Sequence, residues 1–179
     1  MELTYFVHST SKDNEAKIRS GWSDGLLSEK GREQAQSLGR HCAHLSFDAI
    51  FCSDLKRAVQ TAQIAFAGRK VVLDVRLREM NYGVLNGRPS EEFGSDEFEC
   101  IHTRYTSGER CLDVEERVRR FLEEGVLAYR NGHIAVVSHK YPQLAMEVVC
   151  GNRTWEEAIL RDWRNEGKWQ PGWHYCVQA

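Results

Sequence analysis

The sequence predicts an α/β fold: a three-layer α/β/α sandwich with a mostly parallel central sheet and a small insertion over its C-terminal edge. Two observations carry this. Short apolar runs alternate along the chain with amphipathic helical segments, which is the pattern of a parallel sheet covered on both faces. The 179 residues, 41% hydrophobic and 28% charged with 3 prolines, suit one domain that buries roughly 70% of its unfolded surface.

The expected strands are Leu3–His8, Ala49–Ser53, Val71–Leu77, His133–Ser138 and Tyr175–Ala179. Helices are expected between them. In 28–45, Ala35, Leu38, Cys42 and Leu45 share one face and Ser28 caps the start. In 54–67, Leu55, Ala58, Val59, Ala62 and Phe66 form the buried side and Gly68 is the stop. A third helix, 113–130, opens with Asp113 and Glu116 at cap and N3 positions and buries Val114, Val118, Phe121, Leu122 and Val126. Glu115 with Arg119 and Glu116 with Arg120 pair on its outer side. Pro142 suits the first turn of a helix running to Cys150. Thr154 and Glu157 form a capping box for a last helix, with Trp155, Ala158, Ile159 and Trp163 as its buried stripe. One domain spans 1–179, and residues 84–112 read as a short cap or insertion over one sheet edge, a substrate loop.

Composition excludes several classes. The net charge of −2 is not the footprint of a nucleic-acid binder. The acidic stretch Glu91–Glu99 is broken by Phe93 and Phe98 and reads as a local polar segment. None of the six cysteines forms a C-x-x-C pair, against zinc or thioredoxin-like chemistry; Cys52 and Cys176 read as core residues, and free thiols are expected. The N-terminus lacks a signal peptide's basic region and cleavage site, and no apolar run approaches the ~20 residues of a membrane span. A cytoplasmic protein without nucleic-acid or membrane partners is expected. His41 and His44 sit at i,i+3, but no third ligand lies at useful spacing, so no metal site is assigned.

In open α/β sheets ligands bind beyond the carboxyl ends of the strands. The first expected strand ends at His8. The second ends at Ser53-Asp54, with Arg57 just inside the following helix. The third ends just before Glu79, and the fourth at Ser138-His139. Two histidines, an arginine and a carboxylate therefore converge. A neutral imidazole can attack phosphorus, a second histidine and an arginine can meet the phosphoryl oxygens, and a carboxylic acid can protonate the leaving oxygen. A helix N-terminus beside His139 adds N–H donors for an anion. Taken singly, each residue has a plainer reading: Arg57 as an i,i+3 partner of Asp54, Glu79 as a solvated loop carboxylate.

The sequence resembles the histidine phosphatase superfamily, the phosphoglycerate-mutase-like fold, from Leu3 to about Trp173. Tyr5-Phe6-Val7-His8-Ser9-Thr10-Ser11-Lys12-Asp13-Asn14 is similar to the family's first motif. Gly21-Trp22-Ser23-Asp24 and the stretch from Leu27 to Ala35 are similar to the segment that follows it. Ser53-Asp54-Leu55-Lys56-Arg57-Ala58-Val59-Gln60-Thr61-Ala62 matches the second motif most specifically. Leu77-Arg78-Glu79-Met80-Asn81-Tyr82-Gly83 resembles the acid-bearing segment, and Val136-Val137-Ser138-His139 the second-histidine segment. The resemblance implies His8 as the phosphorylated nucleophile, Arg57 and His139 as phosphoryl ligands, Asn14 as a further hydrogen-bond donor, Glu79 as proton donor, and no metal or cofactor.

Two positions depart from the family pattern. Val7 stands in place of its first arginine and Ser9 in place of its glycine. Losing a charge-assisted phosphate clamp costs on the order of 10²–10³ in rate. Lys140, directly after the second histidine, or Arg19 is expected to restore the charge; Ser9 and Lys140 thus join Asn14, Arg57 and His139 as expected phosphate contacts. A mutase must shelter its intermediate and bind a second phosphate, which asks for more cap than 84–112 supplies, so hydrolysis of a small phosphomonoester is expected. Phosphoglycerate-mutase-type transfer and a catalytically weakened phosphate-binding module are the alternatives. Arg88, Arg104 and Arg110 are either contacts for a substrate's other anionic groups or solvated loop charges.

Overall fold

The computed structural model describes residues 1–94, 97–166 and 172–177. In chain order the regular elements are β1 (Glu2–Val7), α1 (Lys12–Glu15), β2 (Ile18–Arg19), α2 (Glu29–Cys42), β3 (Ala49–Cys52), α3 (Lys56–Ala65) and β4 (Val71–Leu73). They continue with β5 (Arg88–Pro89), α4 (Glu99–His102), α5 (Cys111–Arg120), β6 (His133–Ser138), α6 (Lys140–Val149), α7 (Trp155–Leu160) and β7 (Trp173–Cys176).

Alternation along the strands builds the layers. Leu3, Tyr5, Ala49, Phe51, Ile134 and Val136 point to one face, where they pack with Val114 and Val118 of α5, Leu144 of α6 and Trp155 of α7. Phe6, Ile50, Cys52, Ala135 and Val137 point to the other, against Leu38 of α2 and Ala58 and Ala62 of α3. This period of two, apolar on both faces, gives the sandwich expected from the sequence. The sheet order is β4-β3-β6-β1-β7. β1, β3, β4 and β6 run parallel, and β7 closes the edge antiparallel to β1.

Several boundaries differ from expectation. The third strand stops at Leu73, because Asp74 caps a 3-10 turn over Val75–Leu77 by accepting from Arg76 N at 2.9 Å. The last strand is Trp173–Cys176; residues 178–179 of the expected strand lie outside the described residues. Cys176 is exposed, not core, whereas Cys52 is buried. α3 starts at Lys56, since Asp54 turns away to pair with Arg78 through two bonds of 2.7 and 2.5 Å rather than with Arg57. α5 starts at Cys111, so Asp113 is its N3 residue and accepts from Arg110 N at 3.0 Å. It ends at Arg120 and passes into a π turn that keeps Phe121 and Leu122 buried. α7 ends at Leu160, and Trp163 opens a separate 3-10 turn. The caps at Ser28 and Thr154 are present as expected.

Residues 84–112 reach back to the first third of the chain. Arg88 and Pro89 pair with Arg19 and Ile18, and Tyr82, Phe93 and Tyr105 form an edge-to-face cluster beneath. Among the described residues no helix is long and apolar enough to cross a membrane.

Candidate active site

Strand register assembles the site. Val7 pairs with Ser138, and Cys52 with Val137. The next residues, His8, Ser53 and His139, therefore leave three adjacent strands at the same edge of the sheet. The backbone continues the ladder one step: His8 N donates to Ser138 O (2.9 Å) and Ser53 N to Val137 O (3.0 Å). The two imidazoles stand 5.0 Å apart, centre to centre.

Main-chain atoms fix His8. A carbonyl can only accept, so the 2.7 Å contact to Ser9 O makes Nδ1 the protonated nitrogen and leaves the lone pair on Nε2. Arg57 Nε donates to Nε2 at 3.2 Å. Burial first, and the Arg57 charge second, push the His8 pKa down to about 3, outweighing the Ser9 carbonyl. The ring is a neutral base at neutral pH. His139, wholly buried, is held well below its ordinary value by the same two causes. Its Nε2 shares a 2.8 Å hydrogen bond with Ser53 Oγ, while its Nδ1 has no partner among the described residues. The second ring is therefore held neutral, with Nδ1 as its unpaired nitrogen among the described residues.

Arg57 is 2% exposed, and its side-chain hydrogen bonds among the described residues all go to neutral acceptors. Nη1 donates to Ser23 O (3.1 Å) and Nη2 to Gly21 O (2.8 Å). The 20–24 turn can come this close because Gly21 adopts φ +52°, and a Cβ there would sit 2.0 Å from Asn86 Oδ1. That oxygen instead accepts from Trp22 N at 3.0 Å. Thr61, one helical turn on, donates to Arg57 O and accepts from Ser9 N. The nucleophile's loop and the arginine's helix thus form one unit.

Glu79 reaches the N-terminus of α6, where Oε2 accepts from Lys140 N (3.2 Å) and Oε1 from Tyr141 N (3.1 Å). His139, the N-cap residue, supplies no side-chain cap, so the carboxylate takes that place at the positive end of the helix. Sequence reasoning missed what holds Glu79. Arg117 of α5 donates to the carbonyls of Arg76, Arg78 and Glu79 while paired with Glu109, and Trp22 Nε1 donates to Glu79 O at 2.7 Å. Arg117 is one of four basic residues in the 110–120 stretch, and nothing local sets it apart.

A cleft of about 430 Å³ opens here, lined among others by His8, Ser9, Asn14, Arg57, Glu79 and Tyr82, while His139, wholly buried, lies behind His8 and outside its lining. Five cationic side chains line it (Lys17, Arg19, Arg57, Lys140 and Arg164) against two carboxylates, Glu79 and Glu97. The excess of positive charge, in a chain of net charge −2, suits an anionic ligand. The other expected contacts fare unevenly. Asn14 lies at the cleft, but its Oδ1 is taken by Ser11 N and Oγ, capping α1. Lys140 lies there too, yet its ammonium is held by Glu97 (2.8 Å) and Asp162 (3.3 Å) and is not free to replace a missing arginine. Arg19 stands over the Phe93 ring at 4.4 Å. Arg88, Arg104 and Arg110 pair with Glu92, Asp113 and Asp113 and do not line the cleft, so they act as surface charges.

Among the described residues the one three-ligand cluster able to hold a metal is Glu2, His174 and Cys176, exposed and at the opposite end of β1 from His8. His41 and His44 gain no third ligand there.

The sequence profile of the histidine phosphatase superfamily (branch 1) matches residues 6–150. The chain is 33% identical to a probable phosphoglycerate mutase, GpmB, of Erwinia tasmaniensis over 78% of its length and 70% of that protein's. It is 33% identical to phosphoserine phosphatase 1 of Hydrogenobacter thermophilus, over 82% and 74% of the two chains. Against fructose-2,6-bisphosphatase TIGAR B of Danio rerio it is 29% identical and spans 62% of that longer protein. Among solved structures, the alpha-ribazole phosphatase of Shigella flexneri superposes with a TM-score of 0.79 at 27% identity, covering 89% of this chain and 84% of that one. The paired histidines, the buried arginine on His8 and the profile match over most of the chain agree: the chain belongs to the histidine phosphatase superfamily.

Proposed function

We propose that the protein is a phosphatase that hydrolyses a small phosphomonoester through a phosphohistidine on His8, without a metal. The observation that carries this is the state of His8: a neutral ring at a cation-lined cleft, with Nδ1–H committed to Ser9 O and its Nε2 lone pair accepting from Arg57 Nε.

Nε2 attacks phosphorus, the bond from phosphorus to the ester oxygen breaks, and that oxygen takes a proton from Glu79. Water then attacks phosphorus, Glu79 takes the water's proton, and the P–N bond breaks to return neutral His8 and inorganic phosphate. Forming the P–N bond uses the lone pair that Arg57 Nε met in the resting site, which frees Nε to donate to a phosphoryl oxygen. His139 Nδ1 donates to another. Ser9, Asn14 and Lys140 line the same space, and Asn14, whose oxygen caps the first loop, has its NH2 to donate. Hydrolysis is favoured over transfer because a mutase must shelter its intermediate and bind a second phosphate, which asks for more cap than residues 84–112 supply.

The test is hydrolysis of an aryl phosphate with chelator present, comparing wild type with His8→Ala. The reading predicts turnover that survives the chelator and disappears in the variant. Equal turnover in both would sink it, and phosphate binding without turnover would select the weakened binding module.

A further inference from the structure

The mechanism leaves two guanidinium groups in the cleft unused, Arg19 and Arg164. Arg164 lies on the 3-10 turn Trp163–Glu166, beyond the part of the chain that the family profile matches. It is held from one side. Nη1 donates to Asp162 Oδ1 (2.7 Å) and Gln143 Oε1 (3.3 Å), and its backbone N donates to the same Asp162 oxygen (3.1 Å). Its carbon centre lies 4.9 and 5.8 Å from the ring centres of Trp163 and Trp173, which limits its rotation. Nη2 is buried and has no hydrogen-bond partner among the described residues. A buried donor left unpaired is rare in a folded protein and calls for a partner that arrives with a ligand.

Among the cationic side chains of the cleft, Arg164 alone has a buried donor without a partner among the described residues. Val7 lines the same cleft without charge, the Lys140 ammonium is shared by two carboxylates, and Arg19 faces an aromatic ring. Asp162, whose side chain is fully buried, fixes both Lys140 and Arg164 and leaves Nη2 as the donor without a partner.

We propose that Arg164 is the second guanidinium of the phosphoryl site, donating through Nη2 to an oxygen of the group that His8 receives. The proposal rests on the phosphohistidine reading above. The Arg164 charge also reaches His8, where it acts with Arg57 against protonation.

The experiment measures inhibition by vanadate, a mimic of five-coordinate phosphorus, and aryl phosphate turnover. It compares wild type, Arg164→Ala, Arg164→Lys and, as control, Arg161→Ala, an exposed neighbour that does not line the cleft. Arg164→Ala is expected to weaken vanadate inhibition and lower kcat/KM by about 10²-fold, the scale of one lost oxyanion donor. Lysine should recover part of this, because it brings charge without a second donor in fork geometry. Free guanidinium ion should raise the activity of the alanine variant and not that of wild type. Arg161→Ala should match wild type. Unchanged vanadate inhibition in Arg164→Ala, or a loss that neither lysine nor guanidinium relieves, overturns the assignment and leaves His8 as nucleophile. A wild type inert to both vanadate and substrate overturns the phosphohistidine reading and this assignment with it. Where the alanine variant does not fold, Arg164→Gln keeps the stem and one donor and carries the same comparison.

Discussion

The two walls of the cleft are held together by different kinds of contact. On one wall, His8 and Arg57 are fixed mainly by the main chain: Ser9 O, Gly21 O, Ser23 O and the ladder bond to Ser138 O. On the other, Lys140, Glu97, Asp162 and Arg164 hold one another side chain to side chain. Main-chain anchors tolerate sequence change around them, whereas an ion-pair cluster alters with any one of its members. The second wall also extends past residue 150, where the family match ends.

The largest expected effect falls on the first wall. His8→Ala should lower kcat/KM on the order of 10⁴-fold or more, as removal of a nucleophile does elsewhere. Arg57→Ala should cost about 10²–10³-fold. Arg57→Lys should do little better, because one ammonium cannot meet two carbonyls and the His8 lone pair together; steady-state kinetics on both variants checks this. On the second wall, Asp162→Asn removes the carboxylate that Lys140 and Arg164 share. About tenfold in KM with kcat nearly kept is expected, the scale of one charge-assisted hydrogen bond. A loss in Asp162→Asn as large as that in Arg57→Ala would break the distinction between the walls.

A pH titration sharpens the same contrast. The His8 pKa is lowered from 6.5 to about 3 on folding. Between those values the unfolded chain binds a proton that the folded one does not, so stability rises with pH up to about 6.5 and is flat above it as far as His8 is concerned. His8→Ala should show a shallower rise in Tm between pH 4 and pH 6.5 than wild type, although it lacks the ring altogether. The smallest effect belongs to neither wall. The exposed Glu116–Arg120 pair on α5 should be worth less than about 0.5 kcal/mol when Glu116→Gln is compared with wild type by denaturant unfolding.

The same division decides what could be read in the sequence. β1, β3 and β6 are contiguous apolar runs, and each ends on a polar residue of the site, so strand periodicity alone brought His8, Ser53 and His139 to one edge. Arg57 follows from its place in the helix next to that edge. Glu79 was found, but not its supports, because Arg117 and Trp22 act through carbonyls that no side-chain pattern reports. Lys140 was expected to carry free charge because Glu97 and Asp162, 43 and 22 residues away, approach it only in the folded chain. Arg164 had no signal at all: it lies on a short 3-10 turn, without the period of a helix or a strand to give its direction. Asn14, assigned to phosphate by resemblance, lines the cleft; its oxygen caps its own turn by accepting from Ser11, which leaves its NH2 as the donor.

The central claim is that His8 carries the phosphoryl group. Wild type and His8→Ala, mixed briefly with aryl phosphate and stopped in alkali, would be digested and the phosphorylated residue located by mass spectrometry. The account predicts one acid-labile, alkali-stable phosphoryl adduct, on the peptide containing His8, and none in the variant. Turnover by wild type with no adduct, or an adduct on another residue that persists in His8→Ala, would contradict it.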